Sequence, residues 1–221
     1  METSITEHHL AVKKTARYCV LGDLGPHTEE LWVVCHGFGQ LAREFLSGFD
    51  SIVTPHRVIV APEALSRFYR SQGTVHTPET PVGATWMTSE DRQAEIDDYV
   101  GYLDILLAEL RLRMRGKGAI TVLGFSQGAA TVSRWVANSA PAISRLILWG
   151  GLLPPELRDH HRIGGLSNQP VQFVVGTADR YFKAELVKAE FATLGNLGID
   201  ASLVQFEGGH VIEPATLLGL A

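Results

Sequence analysis

Seven short apolar runs, at residues 15–21, 31–35, 57–61, 119–124, 145–149, 171–176 and 202–206, recur along the chain with helical stretches between them. Several are Val, Ile and Leu with little polar alternation, which is how strands buried on both faces of a parallel sheet read. The intervening stretches carry helical spacing. In the best of them, residues 90–115, apolar side chains fall at Ile96, Val100, Leu103, Leu107, Leu110 and Met114, three or four apart. Thr88 and Asp91 make a capping-box pattern at its start, and Gly116 suits the position after its end. Further helices are expected at 41–49, 127–138, 184–197 and 214–218. Alternation of this kind predicts an α/β fold: a mostly parallel central sheet of about six to eight strands with helices on both faces. Residues 71–88 break the rhythm and are expected to form a long irregular loop.

A length of 221 residues, 45% of them hydrophobic and 19% charged, fits one domain spanning 1–221, with residues 1–12 as a poorly ordered or extended tail. The net charge of −5 recruits no polyanion, so nucleic acid is not an expected partner. The basic run at Arg111, Arg113, Arg115 and Lys117 closes a helical pattern, where the helix dipole favours cations. Cys19 and Cys35 lie in apolar runs and are expected to be free thiols in a reducing compartment, with the cytoplasm as the expected location. The first residues lack the basic and apolar segments of a secretory signal. No stretch approaches the ~20 apolar residues of a membrane span, so stable membrane insertion is not expected.

The chemistry is concentrated in Gly124-Phe125-Ser126-Gln127-Gly128, which follows one apolar run and opens one helix. This is G-x-S-x-G in strand–turn–helix context, a sharp turn that forces the serine into a strained backbone conformation and projects its hydroxyl above the sheet edge. A serine is a weak nucleophile without a base near in space. Of the nine histidines, His210 is the candidate, because it follows the last strand run and the turn Glu207-Gly208-Gly209. His36 reads as a structural residue of its turn. The orienting acid is expected at Asp179, directly after the run 171–176; Asp159 and Asp200 are rivals that follow no strong strand. The order Ser126, Asp179, His210 is that of the α/β-hydrolase triad. His36-Gly37-Phe38-Gly39, after an early strand, supplies a glycine turn for an oxyanion hole, with the backbone N–H groups of Phe38 and Gln127 as donors.

His36-Gly-Phe-Gly, Ala61-Pro-Glu-Ala, Gly124-Phe-Ser-Gln-Gly, Gly176-Thr-Ala-Asp and Gly208-Gly-His210 together resemble the phospholipase/carboxylesterase family of small serine hydrolases, which includes acyl-protein thioesterases and bacterial carboxylesterases. The resemblance runs from about residue 30 to 213. It implies an α/β-hydrolase fold without a large cap, hydrolysis of carboxylic esters, lysophospholipids or acyl thioesters, and no cofactor or metal. Carried over residue by residue, it implies the triad Ser126, Asp179 and His210 and the oxyanion hole at Phe38 and Gln127. The chain departs from the thioesterase pattern at Gln40, where those enzymes usually carry Asp, and where Trp86-Met87 runs into Thr88-Ser-Glu-Asp-Arg.

The expected acyl pocket takes Leu152 and Leu153 from one side and Phe68, Tyr69, Trp86 and Met87 from the other. No cap-sized insertion separates Gly151 from Val171, which predicts an open, shallow site favouring short to medium acyl chains on a small-molecule ester. The alternatives are a thioesterase or lysophospholipase on longer chains, another cofactor-free reaction on the same fold, and a binding module that kept the fold. A homodimer is left open.

Overall fold

The structure is a computed structural model that describes residues 4–221 apart from 72, 74 and 159–162. Seven strands form one sheet: β1 (Tyr18–Leu21), β2 (Glu30–Cys35), β3 (Arg57–Pro62), β6 (Ala119–Phe125), β7 (Arg145–Trp149), β8 (Val171–Gly176) and β9 (Ala201–Phe206). Their order is β1-β3-β2-β6-β7-β8-β9, parallel throughout except that β1 runs antiparallel to β3. The helices are α1 (Ala42–Leu46), α2 (Arg92–Arg113), α3 (Gln127–Ser139), α4 (Ala184–Asn196) and α5 (Pro214–Leu220). This is the expected mostly parallel α/β architecture.

The unalternating apolar runs are explained by burial on both faces. Along β2, Leu31, Val33 and Cys35 face α2 and α3, while Trp32 and Val34 face α1 and α5; β3 divides the same way, Val58 and Val60 against Ile59 and Ala61. The first layer is closed by Ile96, Leu103 and Leu107 of α2 and Val132 and Trp135 of α3, the second by Phe45, Phe49 and Leu217. Cys19 and Cys35 are free thiols, and burial pushes the Cys35 thiol far up.

Four boundaries differ from expectation. β1 begins at Tyr18 rather than 15, although the Arg17 carbonyl still accepts the Glu63 N–H (2.9 Å). The segment expected as one helix over 41–49 is α1 followed by a 3₁₀ helix, Ser47–Ile52. The capping box at Thr88 and Asp91 is not made: Asp91 caps α2 in a left-handed conformation (φ +44°), and the Glu95 carboxylate takes the Thr88 N–H. Residues 71–88 are not wholly irregular. Val82–Thr85 form β5, paired antiparallel with β4 (Ser66–Tyr69) in a separate two-stranded sheet. Gly83 and Ala84 have low strand propensity, so nothing local announced it.

One buried acid ties β4 and α1 to the segment before β1. The Glu63 carboxylate accepts from Arg17 Nε and Nη2 (3.1 and 2.6 Å), from Arg67 Nε on β4 (2.6 Å) and from the Ala42 N–H at the start of α1 (3.3 Å). Burial alone would raise its pKa, but these four bonds together hold it below the ordinary carboxyl value. A depressed folded pKa stabilises the fold at neutral pH, and that stabilisation is lost as pH falls below the ordinary carboxyl range toward the folded value. Glu63→Gln is therefore expected to cost about 2 kcal/mol at pH 7, since both arginines can still reach water. Urea titrations at pH 7 and pH 4 would check this: the gap between wild type and variant narrows in acid.

Candidate active site

Ser126 sits between β6 and α3 with φ +55° and ψ −116°, a conformation costly to any residue with a Cβ. Its neighbours make that turn sterically feasible. A Cβ on Gly124 would stand 2.3 Å from the Gly128 carbonyl oxygen, and one on Gly128 would stand 2.2 Å from that of Cys35 on β2. Both glycines of G-x-S-x-G are thus required by backbone approach. The Ser126 N–H donates to the Trp149 carbonyl at the end of β7 (2.9 Å), which fixes the serine over the carboxyl edge of the sheet.

The loops after β8 and β9 meet at that same edge. Thr177 and Ala178 donate their N–H groups to the carbonyls of Phe206 and Gly208 (2.9 and 2.8 Å), and a Cβ on Gly176 would strike the Gly208 oxygen at 2.3 Å. This lacing brings His210 Nδ1 to 2.7 Å from Asp179 Oδ2. Asp179 Oδ1 accepts from the N–H groups of Tyr181 and Phe182 (2.8 and 3.0 Å). Burial opposes ionisation of Asp179, but the His210 bond and these two N–H groups hold its pKa below the ordinary value. The imidazole is packed against Phe125, Tyr181 and Phe182 at centroid distances of 4.8, 4.9 and 5.8 Å.

Gly150-Gly151, directly after β7, lies between the serine and the histidine. A Cβ on Gly150 (φ +55°) would come within 3.0 Å of the His210 ring, and one on Gly151 within 3.0 Å of the Ser126 carbonyl oxygen. The pair leaves the approach of His210 and Asp179 to the serine open. Among the described residues, no hydrogen bond joins Ser126 Oγ to His210. Such bonds are often long before substrate binds.

On the opposite side, Gly37 is so close that a Cβ there would lie 3.2 Å from Ser126 Cβ. Among the described residues, the N–H groups of Phe38 and Gln127 have no protein acceptor. The turn that holds Phe38 is braced at several points. Gln40 Oε1 accepts the Gly37 N–H (2.8 Å), and Gly39 and Gln40 exchange backbone bonds with Ala84 of β5 (2.9 and 3.2 Å). Phe38 stacks on Phe68 of β4 at 5.1 Å. The Gln127 side chain fastens the far end of β5, donating to the Met87 carbonyl (2.8 Å) and Thr85 Oγ1 (3.0 Å) and accepting from the Trp86 N–H (3.2 Å). His36 is fully buried. Its Nδ1 donates to the Gly37 carbonyl (2.8 Å) and its Nε2 accepts the Ala64 N–H (3.1 Å), which requires a neutral ring, and burial lowers its pKa. It is a structural member of the turn, as its sequence position suggested.

The expected pocket is partly corrected. Trp86 and Leu153 are each 2% exposed and belong to the core beneath the site, so neither lines an open acyl pocket. The Trp86 indole instead donates to the His36 carbonyl (2.8 Å). Phe68, Met87 and Leu152 are half-buried, and Tyr69 is exposed and stacked on His76. The exposed apolar groups at the site are Phe38, Tyr181 and Val211. Sequence reasoning missed Tyr181, Phe182, the bracing by Gln40 and the Gly150-Gly151 opening; the one signal was a Gly-Gly pair directly after a strand.

The profile of the FSH1 serine hydrolase family matches residues 34–216, which take in every residue of this site. The chain belongs to the FSH1 serine hydrolase family. Among solved structures, this serine hydrolase is similar to esterase PE8 (24% identity, TM-score 0.67, covering 94% of this chain and 96% of that one). It is also similar to acyl-protein thioesterase 2 of Zea mays (20%, 0.70, 93% and 96%) and to a carboxylesterase of Mesorhizobium loti (20%, 0.67, 93% and 92%). At these identities the likeness establishes the shared α/β-hydrolase fold. No curated protein matches the chain. Among the described residues, no helix is long and apolar enough to cross a membrane.

The glycine constraint is directly testable. Gly128→Ala is expected to destabilise the protein by several kcal/mol, at the top of the range for single substitutions, because backbone rather than a side chain must move. Gly48→Ala, where a Cβ would meet nothing within 4 Å, is the matched control and is expected to be near neutral. Denaturant midpoints of the two variants decide it.

Proposed function

We propose that this serine hydrolase cleaves carboxylic esters through an acyl-enzyme on Ser126, with short to medium acyl chains as its preferred substrates. The observation that carries this reading is the 2.7 Å hydrogen bond between Asp179 and His210 at the sheet edge where Ser126 stands in its strained turn. His210 takes the Ser126 proton as the oxygen attacks the ester carbonyl. Asp179 holds the Nδ1–H tautomer and stabilises the imidazolium that forms. The N–H groups of Phe38 and Gln127 receive the oxyanion, aided by the N-terminal end of α3. His210 then returns its proton to the leaving alcohol, and water, deprotonated by the same imidazole, releases the acid.

The preference for shorter chains is supported by the burial of Trp86 and Leu153, which removes two of the six side chains expected to grip an acyl tail, and by the openness of the rim at Phe38 and Tyr181. Longer acyl groups, including thioesters, are the competing reading. The exposed apolar surface of Phe38, Tyr181 and Val211 is what favours it.

Hydrolysis of p-nitrophenyl esters from acetate to palmitate separates the two. We expect turnover to peak at short chains and to vanish in Ser126→Ala; a peak at the longest chains in monomeric solution would transfer the assignment to the second reading. Gln40→Ala is expected to lower kcat about tenfold with little change in KM, since releasing the Gly37 N–H loosens an oxyanion donor that matters only in the transition state. Steady-state kinetics on the best ester would show it.

A further inference from the structure

α2 is apolar on two sides. Its inner side, with Ile96, Tyr99, Leu103, Leu107 and Leu110, builds the core. Its outer side presents Ile105 and Leu112 to solvent, 73% and 76% exposed. At 100° per residue, Asp98, Gly101, Ile105, Ala108 and Leu112 fall on one outward stripe, and the exposed Arg115 follows just past the helix end in a left-handed turn (φ +57°). Gly101 is unexplained by the chain's own packing, because a Cβ there would meet nothing within 4 Å. An interior helical glycine costs about 1 kcal/mol relative to alanine.

The charge on α2 is polarised. Glu90, Asp91, Glu95, Asp97 and Asp98 crowd its start, and Arg111, Arg113, Arg115 and Lys117 crowd its end. Within the chain Asp91 meets His9, Arg92 meets Glu156 and Arg113 meets Glu109, whereas Asp98 and Arg115, like Glu90, Glu95, Asp97, Arg111 and Lys117, form no ion pair among the described residues. A helix of this polarity is complementary to an antiparallel copy of itself. The register that sets Ile105 over Ala108 of the second copy also sets Leu112 over Gly101 and Asp98 against Arg115. Both large apolar side chains then rest on small ones, and Asp98 and Arg115 find partners, twice over by symmetry. The segment 9–16 flanks this stripe and leaves a groove of about 890 Å³ beside it, lined by Leu10, Val12, Gly101 and Ile105 together with Lys14 and Asp98. Its exposed Leu10 and Val12 extend the apolar surface.

We propose that the outer face of α2 is a self-association surface on which two copies of this chain pair through antiparallel α2 helices about a two-fold axis. An isologous contact of this kind closes on itself and leaves no free apolar face to propagate. The contact does not use the hydrolase site, so its test is independent of the proposed activity.

Sedimentation equilibrium of the full chain reads it out. Wild type is expected at twice its 24.1 kDa mass in the micromolar range. Ile105→Glu, at an exposed position, is expected to sediment as a monomer with an unchanged circular dichroism spectrum. Asp98→Arg and Arg115→Asp are each expected to weaken the dimer about tenfold or more, by like-charge juxtaposition, and their combination to restore it. The proposal is overturned if wild type is monomeric throughout, if Ile105→Glu leaves a dimer intact, or if the double reversal fails to restore what the single ones lose.

Discussion

The closest backbone approach at the site is that of α3 to β2, where the Gly128 position leaves no room for a Cβ beside the Cys35 carbonyl. That approach sets how steeply the chain must turn after β6, and so it forces Ser126 to φ +55°. The strain is stored locally and opposed by what surrounds it: parallel strands buried on both faces, and an α3 whose Val132 and Trp135 are fully buried. Loosening the approach would let the turn relax and the serine fall back from the sheet edge. The two glycines, the strained serine and the packed helix are therefore one constraint seen at three levels.

A second constraint braces the other side of the serine. The turn at Gly37–Gln40 could not hold two N–H directions by itself, being four residues with two glycines. It is held because β5 offers it backbone bonds through Ala84, because Gln40 caps Gly37, and because buried His36 bridges to Ala64. β5 is in turn fastened to the Ser126 turn by the Gln127 side chain. Gln127 thus spends its side chain on the scaffold. Glu63 anchors β4, the partner of β5, to α1 and to the segment before β1. The departure from the thioesterase pattern at Gln40 is consistent with this arrangement, since an amide oxygen serves as a neutral acceptor for Gly37.

The outer stripe of α2 shows how a helix can satisfy its core face and still carry surface residues that the fold does not need. Ile105 and Leu112 are largely exposed, and Gly101 costs helix propensity without relieving a contact. A self-complementary charge gradient on the same helix gives these features a common rationale in association.

The sequence alone determined the sheet and the elements that carry the site. Short unalternating Val, Ile and Leu runs bounded by turns read as strands covered on both faces, and G-x-S-x-G between a strand and a helix admits few backbone paths. For the same reason Asp179 and His210 were legible: each follows a strong strand, and parallel strands deliver their following loops to a common edge. The tertiary structure decided what depends on contacts between segments distant in sequence. Val82-Gly-Ala-Thr becomes a strand only because Ser66–Tyr69 and the Gly39 turn offer it partners. Trp86 and Leu153 are core rather than pocket because the layer beneath the site had space for them, a matter of volume that no local pattern records. Tyr181 and Phe182 enclose His210 because Asp179 takes their N–H groups and so folds that loop back over the imidazole.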